Sequence, residues 1–129
     1  EPSTARAVEV RDVRNGWIKL HRSLLSNPNF KDPEWTAVWV FLLLTATHAN
    51  EKRSVRFQGE PLQLGIGQVW TNKREISEAT GVHISKVHRI LVRMEIEQQI
   101  ERQSDNKNSI ITLLNWRAYQ KSNDKSNDN

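Results

Sequence analysis

The chain has 129 residues, of which 36% are hydrophobic and five are Trp, with a formal net charge of +4 and a pI of ≈ 9.7. That length and apolar content suit one domain with tails, and the small basic excess permits attraction to phosphate without requiring it. No Cys is present, which excludes a disulfide framework and thiolate chemistry, and the longest apolar run, Ala37–Leu44, is far short of the roughly 20 residues that cross a bilayer. A cytoplasmic protein without a membrane partner is expected, and because the chain opens on Glu1 rather than a Met, it is expected to be a trimmed product.

Residues 1–15, "EPSTARAVEVRDVRN", mix charges with small residues and alternate only briefly, so a flexible arm and an edge strand both remain open. From Gly16, "GWIKLHRSLLSNPNF" predicts a short amphipathic helix around Leu20–Leu25, stopped by Ser26, Asn27 and Pro28. Asp32 is placed to cap the next helix, with Pro33 at its first position, where the missing N–H costs nothing. That helix, Pro33 to about His48, is apolar nearly all round through Trp35, Val38, Trp39, Phe41, Leu42 and Leu43, so it should be the buried hub. The pieces "VRF", "LQL" and "GIGQVWT" then read as short strands of a small sheet segment.

Asn72, with Glu75 three residues on, gives a capping-box-like start to a helix that ends at Gly81. After the turn Gly81-Val82-His83, a second helix over about Ile84–Gln98 turns Ile84, Val87, Ile90, Leu91 and Met94 to one side. "IERQ", the turn "SDNKN" and "SIITLLNW" predict a two-stranded hairpin. The tail 121–129, "KSNDKSNDN", has no apolar residue and reads as a disordered linker or terminus. The expected fold of residues 16–120 is mainly α with a small antiparallel sheet (α+β): a winged helix-turn-helix with an additional N-terminal helix.

With the apolar stripe of the Ile84–Gln98 helix inward, Ser85, Arg89, Val92, Arg93 and Ile96 point outward and Lys86 and His88 occupy the shoulders. Cations fill its first half and the acids Glu95, Glu97 and Glu101 follow, the reverse of what the helix dipole favours, which a phosphate partner would explain. Ser85, Lys86 and Arg89 are candidate base readers; His88 flanks them. Arg93, Lys73 and Arg74 suit phosphate clamps, and Arg102 and Lys107 flank the hairpin tip. The plainer alternative is that these cations only solvate a surface, and Val92 and Ile96 suggest a protein contact. His83 stands where Ser or Asp is the usual cap, a change expected to weaken the helix start by about 1 kcal/mol unless Ser85 or solvent compensates.

"GWIKLHRSLL" with "F-KDP", "GQVWTNKREISEATG" and "KVHRILVRME", and finally "TLLNWRAYQ", occur in an order and spacing that together resemble the N-terminal winged-helix domain of phage replisome organisers and DnaD-type primosome proteins. The resemblance implies a role in replication initiation for a phage or mobile element: binding double-stranded origin DNA, often as a dimer or larger oligomer, and helping to recruit a helicase or its loader. In some relatives this domain is mainly an assembly module. Two departures are His83 at the helix start and "MEIEQQI", which lacks the Gly that relatives often place before the wing. A winged-helix transcriptional regulator and a protein-interaction module with weak DNA affinity are the alternatives.

Catalytic chemistry has no sequence signature. His21, His48, His83 and His88 are too scattered for a metal site, and the "GIG" of Gly65–Gly67 lacks the rest of a phosphate loop, so no cofactor, metal or enzymatic activity is expected. Trp35 and Trp39, four residues apart, suit core packing better than base stacking, and Trp116 and Tyr119 should pack the C-terminal segment onto the domain.

Overall fold

The computed structural model describes residues 17–47 and 53–116. The arm at 1–15, the tail at 121–129, His48 and Tyr119 lie outside them. Among the described residues, three helices, α1 (Pro33–Thr45), α2 (Lys73–Thr80) and α3 (Ile84–Ile96), combine with five short strands. These are β1 (Ser54–Phe57), β2 (Glu60–Gln63), β3 (Gln68–Thr71), β4 (Ile100–Ser104) and β5 (Ser109–Leu113), paired in two small antiparallel sheets. The class is α+β. None of the described helices is long and apolar enough to cross a membrane.

The expected helix around Leu20–Leu25 is instead a pair of 3-10 turns, Arg22–Ser26 and Pro28–Lys31. Each turn has its own cap, His21 Nδ1 accepting from Ser23 N at 3.0 Å and Asn27 Oδ1 from Asn29 N at 2.8 Å, and the extended backbone of Asn27 that ends the first turn starts the second. Pro28 then stops any extension, and so short a segment cannot offset the cost of α-helix nucleation.

α1 begins as its sequence predicts, with Asp32 Oδ1 accepting from Glu34 N at 3.0 Å. Trp35, Val38 and Leu42 are fully enclosed, Phe41 and Leu43 nearly so, and the Trp35 and Trp39 rings stack with centroids 5.7 Å apart. The helix stops at Thr45 rather than continuing to His48, because the chain is drawn alongside β3. Thr47 N donates to Gln68 O (3.1 Å) and Gly67 N to Thr47 O (2.9 Å). Gly67 is obligatory here for two reasons: its φ is +80°, and a Cβ would lie 3.0 Å from Trp116 Cβ.

β3 does not join β1 and β2 in one sheet segment, as the sequence suggested. β1 and β2 form a hairpin of their own around Gln58 and Gly59, whose φ values of 56° and 80° mark a tight turn with two left-handed residues. β3 pairs with β5 in a three-stranded sheet of order β3-β5-β4. The reason lies in β5, "SIITL", which is apolar on successive residues. Ile111 and Leu113 enter the main core with the helices, while Ile110 faces Val55, Phe57 and Leu64 of the β1–β2 unit. A strand covered on both faces takes the central position.

α3 ends in a Schellman motif, with Gln98 N bonded to Glu95 O (3.0 Å) and Gln99 N to Met94 O (2.9 Å). The left-handed residue that this requires is Gln98, at φ 62°, so the missing Gly is replaced by a strained Gln. Gln98→Gly is expected to raise stability by up to about 1 kcal/mol, read as a higher urea midpoint at unchanged slope.

Candidate nucleic-acid interface

α2 and α3 are joined by a turn whose polar groups are largely consumed internally. Asn72 Oδ1 caps α2 by accepting from Glu75 N at 2.8 Å, and the Glu75 carboxylate accepts from Thr71 Oγ1. At the other end Gly81, with φ 80°, donates to Ser77 O at 2.9 Å, while Ser77 Oγ donates to Val82 O at 2.6 Å. Val82 is buried, so the turn is pinned to the core and fixes the direction of α3.

Val87, Ile90, Leu91 and Met94 face inward as the 3.6-residue periodicity predicts, but Ile84 does not: it is 43% exposed. Val82 already supplies the apolar side chain at that level, so the first turn of α3 projects past the core. His83 is a functional cap rather than a weak one. Its Nδ1 accepts from Ser85 N at 3.1 Å and lies 2.9 Å from Ser85 Oγ. His83→Ala is expected to destabilise the fold by about 1 kcal/mol and His83→Asn to preserve it, measured by thermal unfolding.

Ser85, His88 and Arg89 are exposed at the start and middle of α3. Among the described residues, neither His88 nor Arg89 has a side-chain hydrogen bond or ion pair. Lys86 differs. Its ammonium lies 3.4 Å from Asp32 Oδ2 and 3.2 Å from Glu34 Oε1, at the N-terminus of α1. Glu34 and Asp32 hold its pKa above the ordinary lysine value. Burial pushes the Asp32 carboxyl up, but the Trp35 and Glu34 backbone N–H groups and Lys86 outweigh this and leave it below the ordinary range. The sequence could not show that both acids at the start of α1 meet α3.

Arg93 is exposed and donates from Nη1 to Asn29 Oδ1 at 3.3 Å, a neutral partner that orients the guanidinium without cancelling its charge. Arg102 is half-buried in β4, with Nε and Nη2 donating to Glu95 Oε2 and Oε1 at 3.3 and 3.1 Å. This bidentate pair ties β4 to α3 and draws Arg102 away from the hairpin tip. Lys107 remains at that tip, exposed.

Lys73 and Arg74 open α2, and the structure brings them near Lys107, because Asn72 Nδ2 donates to Asn108 Oδ1 at 3.1 Å and Thr71 pairs with Ser109 across β3 and β5. Beside them stands a cation that the sequence reading did not single out, Arg56 of β1. The link is Asp105. Its Oδ2 accepts from Gln58 N at 2.8 Å, and its Oδ1 accepts from Lys107 N at 2.8 Å and Asn108 N at 2.7 Å. One carboxylate thus clamps the β1–β2 turn to the β4–β5 turn. Only the local half of this was visible in "SDNKN"; the contact across the chain had no local signal.

No protein-family model, curated protein or solved structure matches this chain.

The Gln58, Asn108 and Lys107 backbone N–H groups hold the Asp105 carboxyl below the ordinary carboxylate range. A carboxyl whose pKa is lower folded than unfolded stabilises the fold above its unfolded pKa and loses that contribution as pH falls through the folded value. The clamp is therefore intact at neutral pH and released only in acid.

Proposed function

We propose that this chain is a winged-helix domain that binds double-stranded DNA, with α3 in the major groove and the β4–β5 hairpin as the wing. The observation that carries the proposal is the outward row Ser85, His88 and Arg89 on α3. It is exposed and contains a guanidinium that no acid of the described chain neutralises. An Arg with no acid beside it keeps its charge for an external anion, and next to a small hydroxyl it suits a guanine edge and its phosphates. Arg93, Lys73, Arg74 and Lys107 act as phosphate contacts around that row. Lys86 contributes less than its position suggests because Asp32 and Glu34 hold it, and Arg102 acts by positioning the hairpin.

Supported by the order of α2, turn, α3 and hairpin, and by the resemblance in sequence to phage replisome organisers, we place this activity in cytoplasmic replication initiation. The domain recognises origin repeats as a dimer or larger oligomer and helps to recruit a helicase or its loader. Selection of bound duplexes from a random pool tests the assignment. A defined site is expected, with half-sites separated by about one helical turn or a multiple of it if the chain binds as a dimer. Recovery of an unenriched pool would contradict sequence-specific recognition. Sites within an origin favour initiation; a promoter operator favours a transcriptional regulator.

A second reading, an assembly module with weak DNA affinity, is favoured by Ile96, which is 76% exposed on the outward face of α3. Asn29 bonds both Arg93 and Glu97, so the Pro28–Lys31 turn with its exposed Phe30 lies against this half of the helix. Under that reading, Ile96→Asp disrupts self-association and leaves duplex affinity per chain unchanged.

A further inference from the structure

The β1–β2 hairpin has one face committed to the core and one face open. Val55 and Phe57 turn inward to join Leu64 and Ile110 in a small apolar cluster, so the alternation of a strand leaves Ser54 and Arg56 outward. The register sets Gln63 beside Ser54 and Pro61 beside Arg56, and all four are exposed. This outer face therefore holds one cation, no acid and no large apolar side chain. We propose that the hairpin is a second wing, which holds a duplex phosphate through Arg56 beyond those held at the β4–β5 tip. The proposal rests on the reading of the chain as a duplex-binding domain and adds a contact to it.

A phosphate contact needs a charge that is available and a scaffold that keeps it in register with the rest of the interface. Arg56 meets the first need. Its Nη1 donates to Gly59 O at 2.9 Å, a neutral partner, and no acid pairs with it among the described residues. Most of its N–H donors stay open. The same bond ties the side chain to a tight turn with left-handed Gln58 and Gly59, so less rotamer freedom is left to lose on binding.

Asp105 meets the second need, as a positioning residue. It accepts from Gln58 N with one oxygen and from Lys107 N and Asn108 N with the other, which joins the β1–β2 tip to the wing tip across 47 positions of sequence. Arg56 and Lys107 in consequence line one open groove between the tips. The Asn72–Asn108 hydrogen bond continues the connection to Lys73 and Arg74 at the start of α2. Four cations thus follow one another through these contacts, a pattern that suits the regularly spaced charges of a sugar-phosphate backbone. A protein partner would find no aromatic or apolar anchor among Ser54, Arg56, Pro61 and Gln63.

The test combines hydroxyl-radical footprinting with binding isotherms of the whole chain, on a duplex of about three helical turns that carries the selected site and on the same duplex trimmed to that site. Arg56→Gln is expected to weaken binding to the long duplex by about tenfold near 0.1 M salt and to reduce the salt slope by about 1 unit. It should also remove protection from one patch of flanking backbone and from nowhere else. Arg56→Lys, which keeps the charge, should restore most of the slope. On the trimmed duplex Arg56→Gln should have little effect, whereas Arg89→Ala should weaken binding to both.

Asp105→Asn tests the clamp, because the remaining oxygen can still serve the β4–β5 turn while the amide cannot accept from Gln58 N. In that background Arg56→Gln should cost less than about twofold, a coupling that the double-mutant cycle separates from the lost charge itself. Thermal melts check that each variant is folded. A long duplex bound by Arg56→Gln with unchanged affinity, slope and footprint overturns the second wing and leaves the α3 reading standing. An equal loss on the long and trimmed duplexes also overturns it, because the charge then acts from within the site. No duplex binding by the unaltered chain overturns both.

Discussion

Trp35→Ala is expected to destabilise the domain by about 3–5 kcal/mol, the usual range for emptying a large aromatic site in a packed core. Trp35 is wholly buried in the first turn of α1, stacked on Trp39 and at the centre of the cluster that α2, α3 and the three-stranded sheet share. Because a domain of this size commands only about 5–15 kcal/mol in total, such a loss leaves a population visibly unfolded at low urea. Trp39→Ala, at a half-buried position, should lose less. Urea unfolding checks both, and a loss under about 1 kcal/mol at Trp35 would contradict the placement of α1 as the hub of the core.

The second large effect concerns DNA. Arg89→Ala is expected to cost about 1–3 kcal/mol of duplex affinity and to relax base preference at one position, because a bidentate contact to guanine would be lost. Lys73→Ala or Arg74→Ala should instead weaken all duplexes alike, as phosphate contacts do. Lys86→Ala should have a smaller effect than Arg89→Ala, since its ammonium already faces Asp32 and Glu34. Binding isotherms on a selected duplex and on single-base variants of it separate these outcomes.

What the sequence disclosed was whatever depends on neighbours a few residues apart. The Asp32 cap, the Asn72 cap, the left-handed Gly81 and the inward stripe from Val87 to Met94 follow from local spacing, and the structure has all of them. His83 caps α3 through Ser85 although residue type alone does not mark it as a cap, because an imidazole nitrogen can accept a backbone N–H as a hydroxyl oxygen does. Gln98 was hidden for a related reason. The Schellman hydrogen bonds require a backbone angle, and Gln tolerates it at a cost that composition does not reveal.

The errors of partnership were all long-range. Nothing near Lys86 announces Asp32, and nothing in "GIGQVWT" says that β3 will pair with a strand some forty residues later rather than with β2. The same holds for Asp105, whose bond to Gln58 spans 47 residues and assembles a groove from two turns that each looked ordinary. Outward residues of a helix can be read from its own periodicity. Which of them keep a free charge depends on what the rest of the chain brings beside them, and this is why Arg89 gained weight as a candidate contact while Lys86 and Arg102 lost it.

The central claim, that the outward face of α3 binds duplex phosphates and base edges, is tested most directly by the salt dependence of duplex affinity. The logarithm of the binding constant should fall linearly and steeply with the logarithm of salt concentration, by about 0.9 per phosphate neutralised. Arg93→Ala should reduce that slope by about 1 unit. A flat salt dependence, or a duplex affinity left unchanged by Arg89→Ala combined with Arg93→Ala, would contradict the claim.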